Sequence, residues 1–208
     1  VGSGGVIEII PDYEDLGDFL DDPDYFKDNP KRISFEYQQD PWPTIQSVIG
    51  LNSFVEYGKD VNCLILVKGQ IAITGVRDLG YGSAYKVFDS QGGPYADVAE
   101  NGVEYIITKL KSGKPVVVGV DNRVGSPSSQ NADGKTDHFV TIVGAGEDAA
   151  GKYFTFFDNA TNLVNKGANV NNKLYYNSAT GLITGKSATT PSKPKYYDYK
   201  VTQMWKNK

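Results

Sequence analysis

The sequence predicts an α+β fold in which a helix bearing the only cysteine near its N-terminus packs on an antiparallel sheet. Two observations carry that prediction. Residues 64–73 are a long, almost wholly apolar run directly behind two residues suited to capping, Asp60 and Asn62, as expected of a buried helix opening at or near Cys63. Residues 136–144 and 152–159 are rich in β-branched and aromatic side chains, and the turn chemistry of residues 145–151 between them reads as a β-hairpin with a seven-residue loop.

Taken in order, residues 1–5 are linker-like. Residues 6–40 mix acids with Pro11, Pro23 and Pro30 and show no sustained period, which predicts that residues 1–40 form an acidic extended arm or linker. That arm holds eleven acids against three bases, a local charge of −8 in a chain of net charge −4, so residues 41–208 are net positive. Such a split argues against nucleic acid as a partner of the front. The stretch from Asp18 to Asp24 lacks the central Gly and terminal Glu of a calcium loop, and a solvated acidic face is expected instead. Pro41 and Pro43 around Trp42 mark entry into a catalytic domain of residues 41–208.

The apolar run after Cys63 has a rival reading as a buried strand, because Gly69 weakens a helix and several residues are β-branched. Residues 75–96 read as Gly- and Tyr-rich loops with a short strand near Tyr85. Val103, Ile106, Ile107 and Leu110 recur at helical spacing behind Asp97, the expected cap, and Gly113 closes that helix. Residues 115–120 form a buried strand, and the polar loop 121–135 that follows has the composition of a cover over a site. After the hairpin come an Asn-rich loop at 160–172, two short strands at 173–176 and 182–183, a Thr/Pro/Ser/Lys loop, and an alternating strand at 197–205.

Composition excludes several classes. A single Cys forbids an internal disulfide, and one Cys with one His cannot furnish a four-ligand structural zinc site. No apolar run approaches the roughly 20 residues of a membrane span, and no glycine cluster has the strand-to-helix setting of a phosphate cradle. No cofactor or metal is expected. The start, Val-Gly-Ser-Gly-Gly without an initiator Met, suggests an excised piece of a longer chain in which the route of export is not visible.

The chemistry lies in conjunction. If residue 144 faces residue 152 across the hairpin, His138 lies directly opposite Asp158, with Cβ atoms roughly 4.5–5.5 Å apart. A slip of one residue puts Asn159 or Phe157 there instead, because a strand's faces alternate. A nucleophilic thiol needs a base, and the base needs a group to orient it; Cys63, His138 and Asp158 supply the three in chain order. At a helix N-terminus the unpaired N–H groups favour thiolate.

The passage Pro115-Val116-Val117-Val118-Gly119-Val120, a loop, then Asp137-His138-Phe139-Val140-Thr141-Ile142-Val143-Gly144 resembles one in the papain-like cysteine peptidase superfamily. Members carry the Cys at the start of a central helix, the His at the start of a strand, and an Asn or Asp at the end of the next. The resemblance spans residues 50–160 and is nearest to bacterial members of the bacteriocin-processing type. Tyr57, six residues before Cys63, is similar to the tyrosine ahead of the nucleophile in NlpC-type cell-wall peptidases and stands where papain itself has an oxyanion glutamine. The plant enzyme's Cys-Gly-Ser-Cys-Trp is absent; Asn62-Cys63-Leu64-Ile65 takes its place.

The resemblance implies a papain-like fold and a cysteine peptidase or amidase acting on peptide or peptidoglycan amides. Cys63 would be the nucleophile, His138 the base and Asp158 the third member, with Asn159 the alternative third member and Tyr57 a candidate oxyanion donor. It further suggests the effector domain of a toxin delivered out of a bacterial cell, with an upstream delivery module and an inhibitory immunity protein as partners. An acyltransferase using the same triad and a non-enzymatic binding module are the alternatives.

Overall fold

A computed structural model of the chain describes residues 41–58, 61–80, 82–91, 93–122, 133–188 and 197–208. The expected acidic arm of residues 1–40, the calcium-loop reading within it, Asp60, and most of the proposed covering loop lie outside the described residues. The unit described is Trp42–Lys208. A 3-10 turn at Leu51–Ser53 is followed by α1 (Cys63–Ala72), β1 (Tyr85–Lys86), α2 (Ala96–Lys111), β2 (Val116–Asn122), β3 (His138–Asp148), β4 (Gly151–Phe157), α3 (Val164–Gly167), β5 (Lys173–Tyr176), β6 (Ile183–Ser187) and β7 (Tyr197–Met204).

Strands β2 to β7 pair antiparallel in sequence order, and β7 pairs with both β6 and β2, so six strands close into a barrel. Strand β1 adds to Gln203 and Met204, the part of β7 that β6 does not reach. This corrects the expected papain-like α+β arrangement of a helix packed on an antiparallel sheet. Alternation in a sequence says which face of a strand is buried and not which neighbours its edges take. Here β7 uses both edges. Closure needs strong coiling, and bulges provide it. One lies at Thr202, between the pairs Gly119↔Gln203 and Val120↔Val201, where the Thr202 hydroxyl donates to the Gly119 carbonyl at 3.2 Å.

Strand β2 is buried on both faces, which is why its sequence reads as a continuous apolar run. Val116, Val118 and Val120 join Val140, Ile142, Phe154, Phe156, Tyr199 and Val201 in the main core, to which α2 adds Ala99, Val103, Ile106 and Leu110. Val117 faces the other way, with Val67 and Ile71 of α1. Burying each such side chain stabilises the fold by about 1.5–3 kcal/mol. Helix α2 starts one residue before Asp97; Tyr95 is its N-cap residue and makes no side-chain capping bond, so Asp97 sits in the first turn rather than capping it. Gly113 follows the helix with φ +74. The region read as an Asn-rich loop contains α3.

The hairpin is tighter than expected. Its loop is two residues, Ala149 and Ala150, not seven, with Asp148 Oδ1 accepting from the Ala150 N–H at 2.9 Å. Gly146, read as a turn residue, stands in β3 beside Gly144 for reasons of space: a Cβ at Gly146 would lie 2.6 Å from the Tyr153 hydroxyl, and one at Gly144 would lie 2.7 Å from the Ile45 carbonyl. Gly144 therefore pairs with Thr155 rather than residue 152, an odd slip that by itself turns His138 away from the face of Asp158. A second bulge, at Val143, takes one residue back. Beyond it Ile142 pairs with Phe156, two residues from the expected partner, and the even shift restores the face.

Candidate active site

Cys63 is the first residue of α1, and Asn62 caps it, its side-chain oxygen accepting from the Leu64 N–H at 2.8 Å. The Cys63 backbone N–H makes no hydrogen bond among the described residues. Val67 and Ile71 seat the helix on Val117 and Phe139, and the fully buried Gln70 accepts a hydrogen bond from Thr141 of β3. The helix that carries Cys63 and the strand that carries His138 are thereby joined by apolar packing and by one polar bond.

His138 opens β3, opposite Val120 of β2, on the inward face shared with Val140 and Ile142. Its side chain is only 14% exposed. Asp158 follows the last residue of β4; its backbone N–H is fixed on the Gly167 carbonyl at 2.7 Å, and its carboxylate is wholly buried. His138 Nε2 lies 2.9 Å from Asp158 Oδ1. The contact is diagonal rather than directly across, because of the two-residue register shift. With Nε2 engaged, Nδ1 is the nitrogen left for the Cys63 thiol, which acts electrostatically on the ring and itself donates to Asn62 Oδ1 at 3.7 Å.

Burial alone would push the thiol pKa up, but the hydrogen bond and charge of His138, with the Phe139 and Leu64 N–H groups, bring it below the ordinary value. Burial would likewise lower the imidazole. Asp158 and Cys63 outweigh that and raise His138 to about 9. Burial would raise Asp158, yet His138, a hydrogen bond with the Ser187 side chain and the Ala160 N–H hold it at about 2. At neutral pH His138 is therefore imidazolium and Asp158 carboxylate, and the Cys63 thiol is shifted toward thiolate.

The two alternative residues are placed elsewhere. Asn159 does not hold His138; its Nδ2 donates to the Cys63 carbonyl at 3.5 Å, and its own Oδ1 is buried without a partner among the described residues. Tyr57 is 53% exposed, its backbone N–H bonds the Thr161 carbonyl, and its hydroxyl bonds neither Cys63 nor His138 among the described residues. Sequence reasoning missed the hydroxyls of Ser187 and Tyr199 on Asp158 and the N–H of Phe139 at the thiol. Nothing local signals the first two, which arrive from β6 and β7. Gln70 did carry a signal, as the uncharged polar residue within an apolar run, seven residues or two helical turns beyond Cys63. No group of metal-binding side chains occurs among the described residues. Comparison with protein-family models, with curated proteins and with solved structures finds no match.

Proposed function

We propose that the chain is a cysteine-dependent hydrolase of amide bonds, peptide or peptidoglycan, acting through Cys63, His138 and Asp158. One observation carries the reading: the only Cys and the only His of the sequence are brought within mutual electrostatic influence at a helix start, with the His held on a buried carboxylate. His138 takes the Cys63 proton, and the thiolate attacks the amide carbonyl carbon. The oxyanion that forms is met by the Cys63 N–H, unpaired among the described residues, at the positive end of α1. Imidazolium then gives its proton to the leaving amine, leaving a thioester. Water, deprotonated by His138, attacks the thioester and releases the carboxylic acid and the thiol.

The test is incubation of wild type and Cys63→Ala with peptidoglycan stem peptides and with a protein substrate, reading products by mass spectrometry. New amine and carboxylate ends made by the wild type alone are the expected result. Iodoacetamide labelling is the second arm. Fast labelling of Cys63 that is flat across neutral pH and lost in His138→Ala supports the ion pair, whereas slow labelling indifferent to that substitution sinks it.

A further inference from the structure

We propose that Tyr199, together with Ser187, is a positioning residue of this site: their hydroxyls fix the Asp158 carboxylate so that Oδ1 faces His138 and the ring in turn faces Cys63. For its effect on turnover the proposal rests on the hydrolase reading; for its geometry it does not. Asp158 Oδ1 takes two donors, His138 Nε2 and the Ala160 N–H, each at 2.9 Å. Oδ2 takes the Tyr199 hydroxyl, also at 2.9 Å, and the Ser187 side chain is a further partner of the carboxylate.

A buried carboxylate without solvent is held in one orientation by its donors or not at all. Tyr199 is itself 1% exposed, and its ring lies between those of His138 and Phe156, at centroid distances of 6.0 and 6.1 Å. The hydroxyl thus has no water to turn to, and a rigid aromatic stem aims it. Ser187 and Tyr199 lie on the paired barrel strands β6 and β7. Without the two hydroxyls the buried carboxylate loses two of the donors that orient it and turns more freely off His138. The titratable groups that face His138 among the described residues are Cys63 from α1, Asp158 after β4 and Tyr199 from β7. Only Asp158 is touched by all the proposed anchors.

The experiment uses the full chain with Tyr199→Phe and Ser187→Ala, singly and together. His138 is the only histidine, so its ring C–H resonance reports its titration without ambiguity. The expected result is a His138 pKa lowered from about 9 by roughly one unit or more toward 6.5, because the hydrogen bond and charge that raise it are less well aimed. In parallel, kcat falls by up to about 10²-fold with KM unchanged, as for a misplaced reacting group. An unchanged pKa would mean the hydroxyls serve packing alone. A raised pKa would mean they merely draw charge from the carboxylate. Either outcome overturns the proposal. Should Tyr199→Phe fail to fold, Ser187→Ala carries the same comparison. Wild-type hydrolysis is measured alongside; its absence would overturn the hydrolase reading while the titration still decides the role of Tyr199.

Discussion

The Cys63 thiol is shifted toward thiolate beside an imidazolium at His138, and the pH dependence of the proposed reaction follows from that pair. The thiolate persists down to the lowered thiol pKa and the imidazolium up to about 9. Hydrolysis is therefore expected to fall as pH rises through about 9, where the donor to the leaving amine is lost, while alkylation of Cys63 stays high there; parallel pH–rate profiles check this. Asp158→Asn keeps the shape but removes the charge, and turnover is expected to drop less than in Cys63→Ala or His138→Ala, because Asp158 orients rather than reacts. The grouping of these three side chains was legible because a chain with one Cys and one His allows a single pairing, and Asp158 lay within reach along the hairpin. Ser187 and Tyr199 were not. A tyrosine in a β-rich strand is read as core until its hydroxyl's partner, 41 positions away, is known.

Two elements carry the site, and each invites a test. Gln70 ties α1 to β3 through Thr141, while its own Nε2 is buried without a partner among the described residues. Thr141→Val leaves Gln70 unsatisfied at a cost of about 1–3 kcal/mol, whereas adding Gln70→Met removes both polar groups and is expected to recover most of that stability in denaturant unfolding. The hairpin shows why local reading succeeded by an indirect path. The expected register was three residues off at the tip and two off at His138, the difference being the Val143 bulge, which no residue-type pattern announces. Deleting Val143 removes the extra residue and leaves Gly144 opposite Thr155 and Ile142 opposite Phe156. His138 then keeps the face of Asp158, and rapid iodoacetamide labelling of Cys63 is expected to persist, whereas a residue inserted between Thr141 and Ile142 turns His138 to the other face and is expected to abolish it even in protein that retains the barrel's circular-dichroism spectrum.

Across the whole molecule, the charged pair affects stability in a way that either group alone would hide. His138, with a raised pKa, contributes stability that is full below 6.5 and lost as pH rises through about 9. Cys63, with a lowered pKa, contributes stability that is full above 9.0 and lost as pH falls toward its folded value. Between the lowered thiol pKa and about 9 the loss from His138 is offset by the gain from Cys63, so the melting temperature is expected to vary less with pH there in wild type than in Cys63→Ala. Asp158 contributes about 2 kcal/mol that is full above 3.8 and lost as pH falls through about 2, so acid unfolding is expected to begin in that interval and to be blunted in Asp158→Asn. The barrel itself was the least legible level. Its strands could be read one by one, but closure depends on β7 meeting β2, a pairing across roughly eighty residues of chain for which neither partner's sequence holds a local sign.

That closing strand also sets an order of events in time. Strand β7 follows every other strand in the chain, so during synthesis the thiol, the imidazole and the carboxylate all emerge before the hydroxyl of Tyr199 exists to hold them. Non-local pairing of this kind is slow relative to helix and hairpin formation. In a refolding experiment, protection of Cys63 from a slow, ordinary-thiol reaction and its conversion to a fast one should therefore come last, in step with β7, and nascent chains would carry an inert cysteine until the ring is shut.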